Sequence, residues 1–158
     1  MDDKEIEEVL LNLGLKISKP PQAQEKFHIL ATPPQNFPIL EIIRPQDSSR
    51  FYLIVMGIGI APEHKKGLGS MKIDDRFKFL AEITEEVLKM GLDIAILPPG
   101  SDIPDAIQIM KVVYSEGLTP NEFLNAYYMV RNAGILVINR INRQFGIKEF
   151  KQNTTRYI

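Results

Sequence analysis

Lys26-Phe27-His28-Ile29-Leu30-Ala31-Thr32, Pro38-Ile39-Leu40-Glu41-Ile42-Ile43-Arg44 and the run from Arg50 to Ile60 are the stretches on which the fold turns. Side chains alternate along an extended chain, so Phe27, Ile29 and Ala31 take one side of the first run and His28 and Leu30 the other. Pro33-Pro34-Gln35-Asn36 ends that run, and Pro45-Gln46-Asp47-Ser48-Ser49 is a turn cluster after the second. The third run is the longest and is rich in aromatic and β-branched residues. Connections this short favour hairpins, which predicts an antiparallel sheet.

Working outward, the segment before these strands predicts a short helix. Ile6, Val9, Leu10 and Leu13 recur at helical spacing. Asp2 and Asp3 suit its positive end, and Gly14 suits its stop. Lys19-Pro20-Pro21-Gln22 then breaks the chain. After the strands, Ala61 to Ser70 reads as a loop with two Gly and two Lys. A second helix follows, with Asp74 as its cap and Gly91 as its end. Phe77, Leu80, Thr84, Val87 and Leu88 form one face and Phe79, Ile83 and Met90 add another, which predicts burial on more than one side. Asp93 to Leu97 is a short strand. Asp105 to Tyr114 fits either a strand or a helical stripe, and its β-branched content with the break at Gly117 favours strand.

The last helix has the clearest local signal. Thr119-Pro120-Asn121-Glu122 is a capping box with proline at the first helical position. Phe123, Tyr127, Val130, Gly134, Val137, Ile138, Ile141 and Phe145 line one face, Gly146 suits the position after the last turn, and Arg140 and Arg143 suit the negative end. Residues 147–158 read as a loosely held tail. The expected architecture is therefore an α+β domain spanning residues 1–158, with a five-stranded antiparallel sheet covered by helices in the order α-βββ-α-ββ-α.

Composition bounds the rest. The 158 residues are 44% hydrophobic and 25% charged, ordinary for a globular chain able to bury a core. The net charge of −1 gives no global attraction to nucleic acid or to an anionic membrane. The absence of cysteine removes disulfides, thiolate metal sites and thiol nucleophiles. Twenty-one isoleucines with neither Cys nor Trp lean toward a thermophile. The acidic, polar start does not read as a signal peptide, and the Gly134–Ile138 apolar stretch is far below the roughly 20 residues that span a bilayer. A cytoplasmic location is expected.

Ser115-Glu116-Gly117-Leu118-Thr119-Pro120-Asn121-Glu122-Phe123-Leu124, reached from a strand and opening the last helix, resembles the YbjN-type and type III secretion chaperone-like fold. Phe27-His28-Ile29-Leu30 with Pro33-Pro34, Ala61-Pro62-Glu63-His64-Lys65-Lys66 and the Gly-Leu-Thr-Pro turn are together similar to an uncharacterised archaeal family of this size. The resemblance covers residues 3–146. It implies a twisted antiparallel sheet covered by helices in a protein-binding, often homodimeric module. It carries no known chemistry and does not imply secretion-chaperone activity, because function does not follow from fold.

Candidate sites are few. His64, Lys65, Lys66, Gly67, Gly69 and Ser70 could cradle an anion or nucleotide phosphate in a nest of backbone N–H groups, but the segment lacks the P-loop spacing. Its simpler reading is a solvated connection with Gly chosen for backbone freedom. Gly57-x-Gly59 lacks the third glycine of a dinucleotide site. His28 and His64 are the only histidines. Neither has a Ser and carboxylate in a recognised triad order, and His28 is expected on a strand face with its nitrogens satisfied. Catalytic residues, metal ligands and cofactors are expected to be none. Glu82, Glu85, Glu86, Asp74 and Asp75 read as a solvated helix face. Arg131, Arg140, Arg143, Lys148, Lys151 and Arg156 with Tyr157 raise RNA binding as a third reading, weakened by the overall charge.

The weightiest feature is apolar excess on the last helix. Beyond its core face it carries Tyr128, Met129, Ala133, Ile135 and Leu136. A helix apolar nearly all round needs cover on two sides. Tyr128, Met129, Ile135 and Leu136 are therefore the expected dimer or partner surface, and a homodimeric, non-catalytic protein-binding or chaperone-like module is preferred to a ligand-binding protein or an enzyme. Complete cover by the first two helices is the bland alternative.

Overall fold

A computed structural model describes residues 1–146. Its elements are α1 (Asp3–Asn12), β1 (Lys16–Ser18), β2 (Phe27–Thr32), β3 (Leu40–Arg44), β4 (Phe51–Gly59), α2 (Pro62–Ser70), α3 (Ile73–Lys89), β5 (Asp93–Leu97), β6 (Ala106–Tyr114) and α4 (Pro120–Phe145). The strands form one six-stranded sheet in the order β1-β2-β3-β4-β6-β5. The α+β class holds, and the expected five strands and α-βββ-α-ββ-α order do not. β1 was illegible because three residues carry no usable periodicity. Lys16 and Ser18 flank a single apolar Ile17, and pairing with β2 (Ile17 opposite Ala31) defines the strand.

The sheet is antiparallel. In β2–β3, His28 faces Ile43 and Leu30 faces Glu41. In β3–β4, Ile43 faces Leu53 and Glu41 faces Val55. Ser115 N–H donates to Arg50 C=O at one end of β4 and Ile60 N–H to Asp105 C=O at the other, so β6 also runs against β4. The Asp105–Tyr114 segment is thus a strand, as its β-branched content favoured.

Ala61–Ser70 corrects another expectation, since it is mostly helix rather than loop. Pro62 at the first helical turn was the overlooked signal. Ala61 supplies no side-chain cap and two glycines lower the propensity, which explains the loop reading. α3 starts at Ile73 after Lys72, one residue before the expected Asp74 cap, and Asp74 and Asp75 sit in its first turn instead. Only one face of α3 is buried, through Phe79, Leu80, Ile83 and Val87, whereas Phe77 and Leu88 are exposed. The expected burial on more than one side is therefore not found.

The predicted end signals are present. Glu122 N–H donates to Thr119 Oγ1 at 3.2 Å while Thr119 N–H donates to the Glu122 carboxylate at 2.8 Å. Gly146 takes φ +89 and donates its N–H to Asn142 C=O. Asp2 and Glu5 form a matching capping box at α1.

Contacts divide the chain into two compact units. One comprises Met1–Met56 and Met110–Arg131, with Ile6, Leu10, Ile29, Leu40, Ile42, Ile54, Phe123 and Val130 buried. The other comprises Gly57–Ile109 and the chain from Asn132, with Ile58, Leu68, Ile83, Val87, Ile107 and Val137 buried. Full burial of one such aliphatic side chain contributes about 1.5–3 kcal/mol. The tail expected over residues 147–158 lies outside the described residues.

Candidate functional site

Within the first unit, strand alternation puts His28 and Glu41 on the same face of the sheet as diagonal neighbours on β2 and β3. His28 Nε2 lies 2.6 Å from Glu41 Oε2, and Nδ1 lies 3.0 Å from Glu25 Oε2 in the segment entering β2. His28 and Glu41 are buried. A neutral imidazole has only one N–H, yet here both ring nitrogens face carboxylate oxygens. The geometry therefore fits an imidazolium bonded on both sides. Burial opposes that charge, but hydrogen bonds to Glu41 and Glu25 outweigh it and raise the His28 pKa. Glu25 is lowered, first by its own backbone N–H, with His28 adding to the effect against partial burial.

Both ring nitrogens are thus committed, leaving none to take a proton from a substrate or to bind a metal. His28 is a satisfied strand histidine, as expected, and its partners are two glutamates. Glu41 was legible in principle, because a carboxylate inside Ile39-Leu40-Glu41-Ile42-Ile43 is a charge in an apolar run. Among the described residues, no group of three His, Asp or Glu side chains is placed to hold a metal ion.

The cluster sets a pH dependence. His28 has its folded pKa raised above 6.5, so its contribution is whole below pH 6.5 and declines as pH rises through the folded value. Glu25 has its folded pKa lowered below 4.5, so its contribution is whole above pH 4.5 and declines as pH falls through that lower value. Urea unfolding followed across pH should show the cluster contributing most between 4.5 and 6.5. In His28→Gln the alkaline decline should flatten; an unchanged decline would show that another group carries it.

A second polar cluster ties α1 to the sheet. Asp3 accepts from Arg44 Nε at 3.0 Å, from an Arg44 terminal nitrogen at 2.5 Å and from the Tyr52 hydroxyl at 2.7 Å. Burial and the Asp3 carboxylate both push the Tyr52 phenol pKa upward. The fork of Arg44 closed on one carboxylate is a structural clamp.

The His64–Ser70 residues form α2, not a loop. His64 is fully buried, with Nε2 3.1 Å from the Gly146 carbonyl oxygen. Lys65 pairs with Asp105, and the Ser70 hydroxyl donates to Lys66 C=O. Gly67 has a packing reason: a Cβ there would lie 2.4 Å from the Phe145 ring. Gly69 is exposed, and a Cβ there would meet only Ile103, at 3.7 Å. Lys66 is exposed as well. These placements separate His64 and Gly67, which face inward, from the Lys66, Gly69 and Ser70 side of the helix.

The outer side of α4 holds the other predicted surface. Tyr128 is 38% exposed, and the Arg131 guanidinium lies 4.9 Å from its ring centre. Met129, Ile135 and Leu136 are half-buried, while Ala133, expected on the same side, is fully buried. Ile135 and Leu136 line an open groove of about 510 Å³ with Glu86, Asn132, Asn139, Arg140 and Arg143. Arg140 is held by Glu82 at 3.2 Å and Glu86 at 3.5 Å. Arg131 and Arg140 thus have partners within the fold. Lys148, Lys151, Arg156 and Tyr157, the rest of the basic group, lie outside the described residues.

A family model described as an uncharacterized conserved protein (DUF2299) matches residues 2–141. The search of curated proteins found no match. A crystal structure of an uncharacterized protein from Methanothermobacter thermautotrophicus superposes with a TM-score of 0.81 at 20% identity, covering 92% of this chain and 100% of that one. At that identity the likeness is one of fold.

Proposed function

The chain belongs to the DUF2299 family of uncharacterized conserved proteins, and we propose that it is a non-catalytic protein-binding module whose docking surface is the outer side of α4. The observation that carries this reading is the open groove that Ile135 and Leu136 help to line. Ile135 and Leu136 are half-buried and, at helical spacing, flank the exposed Asn132, Asn139 and Arg143, with Glu86 and Arg140 completing the lining. A mixed apolar and polar lining is the usual composition of a non-obligate protein interface. Charges of both signs in the lining suit an amphipathic helix presenting apolar residues at helical spacing, flanked by its own charges. The committed nitrogens of His28 support binding over catalysis.

Leu136→Glu places a charge in that groove at a half-buried position outside the fully buried face of α4. Affinity capture with the full chain as bait should recover a stoichiometric protein partner, and the Leu136→Glu bait should lose it while keeping a native far-UV circular dichroism spectrum. A partner retained by the variant would remove α4 from the reading. Recovery of no stoichiometric partner by either bait would count against a binding module.

A further inference from the structure

α3 carries more apolar surface than the fold covers. Each residue of a helix advances about 100° around its axis. On that count Phe79, Leu80, Ile83 and Val87 point to one side, and all four are buried. Ile73, Phe77, Ala81, Thr84 and Leu88 fall within about 80° of one another on a second side, in a stripe running the length of the helix. Ile73 is 58% exposed, Phe77 and Leu88 are 52% exposed, and Ala81 is exposed as well. The Thr84 hydroxyl donates to Leu80 C=O at 2.9 Å, so this residue needs no outside partner and adds a methyl group to the stripe. Single apolar residues on a surface are ordinary, whereas a continuous row along a helix of 17 residues marks an interaction surface.

The charges beside the stripe select what it meets. Asp74, Lys78, Glu85 and Lys89 line one flank, within about 60° of one another, and all four are exposed. Arg76, Glu82 and Glu86, elsewhere on the helix, pair with Asp102 or Arg140. Among the described residues, the four flank charges have no ion-pair partner. From the N-terminal end their signs run negative, positive, negative, positive. Turned end for end, the series reads positive, negative, positive, negative. A helix laid antiparallel on its own copy therefore meets an opposite charge at every one of these positions.

We propose that α3 is the surface through which two copies of this chain join, the two helices packed antiparallel about a two-fold axis at Ala81. Ile73 lies as far before Ala81 as Leu88 lies after it, to within one residue, so the two meet across the axis. Phe77 meets Thr84 in the same way, and Ala81 meets its own copy, where a small side chain lets the helices approach closely. Asp74 comes level with Lys89 and Lys78 with Glu85, each to within one residue rise of about 1.5 Å. Each contact occurs twice, once on either side of the axis. A two-fold axis of this kind is the commonest symmetry of homodimers. It keeps the charged flank of one copy against the charged flank of the other, whereas parallel packing would turn each toward the opposite flank and lose the pairs. A contact along one helix about 25 Å long is small beside the roughly 800 Å² per partner of a standard interface, so the dimer dissociates on dilution. Glu86, which lines the α4 groove, lies on the side of α3 opposite the stripe, so this interface is separate from the groove and stands or falls without it.

Sedimentation equilibrium of the full chain, from micromolar to millimolar concentration, tests the proposal. The wild type is expected to pass from the monomer mass to twice that mass. Phe77→Lys should stay at the monomer mass with a native far-UV circular dichroism spectrum. Lys78→Glu opposes like charges at both contacts between positions 78 and 85, and should raise the dissociation constant about tenfold, since two exposed pairs change sign. Glu85→Lys added to Lys78→Glu makes those contacts opposite in charge again, and should return the constant to near its wild-type value. Positions 78 and 85 are exposed, so this pair of variants reports even where a change at Phe77 disturbs folding. A wild type monomeric throughout the series would overturn the proposal. So would a dimer that persists in folded Phe77→Lys, one that Lys78→Glu does not weaken, or one that Glu85→Lys does not restore.

Discussion

Glu41→Ala is expected to destabilise the protein by about 3–5 kcal/mol, the usual cost of removing one partner from a buried ion pair. Glu41 and His28 have side chains 4% and 7% exposed, and the contact between them is 2.6 Å. Removal of the carboxylate leaves a buried ring nitrogen facing a cavity, with only Glu25 remaining as a charged partner. The loss is one of compensation rather than of attraction alone, and a second variant separates the two. In Glu41→Leu with His28→Phe, both buried polar groups are replaced by apolar ones of comparable bulk. Such replacements are often neutral or stabilising, so the double variant should recover most of the loss. Chemical denaturation near pH 6 is the measurement, below the ordinary histidine value above which the His28 pKa is raised. A single-variant loss below about 1 kcal/mol, the level of an exposed pair, would mean that water reaches the cluster.

Gly67→Val is the second large effect expected, a loss of about 1–3 kcal/mol from overpacking. A Cβ at position 67 would lie 2.4 Å from Cδ1 and 2.9 Å from Cε1 of Phe145. That ring also packs edge-on to Phe79, 5.6 Å between ring centres, so it cannot swing aside without disturbing a second contact. Helix propensity works the other way, since glycine inside a helix costs up to about 1 kcal/mol relative to alanine. The clash therefore decides the sign. Phe145→Leu in the same chain should relieve part of the loss, and an equal loss with and without it would place the strain elsewhere in α2. Differential scanning calorimetry of the single and paired variants reads this directly.

The two sites differ in how they could be read in advance. The α4 surface was visible as periodicity, because Tyr128, Met129, Ile135 and Leu136 exceed what one core face of a helix needs. Burial then sorted those residues, keeping Ala133 inside and leaving Ile135 and Leu136 half-buried in the lining of a groove. The ion cluster was visible only in part. His28 alternates to the right face, but its pairing with Glu41 depends on the β2–β3 register, which joins residues 13 apart in the chain. The His64–Ser70 segment misled because glycine has two uses. Its conformational freedom suggests a loop, yet at Gly67 what matters is the missing side chain, and the ring that requires it lies at position 145.

By itself the sequence determined the local matters: the α+β class, the capped α4, the antiparallel hairpins of β2, β3 and β4, and the strand at β6. Each is encoded within a few residues by periodicity, turn chemistry or a cap. Tertiary structure alone decided the strand at β1, the helical state of Pro62–Ser70, the partners of His28, and the order of the strands in the sheet. Three residues around Ile17 have no strand period of their own, and strand order is set by pairing between distant segments. Such features rest on contacts between distant segments, whose free energy exceeds local propensity but leaves no mark within any one window of the chain.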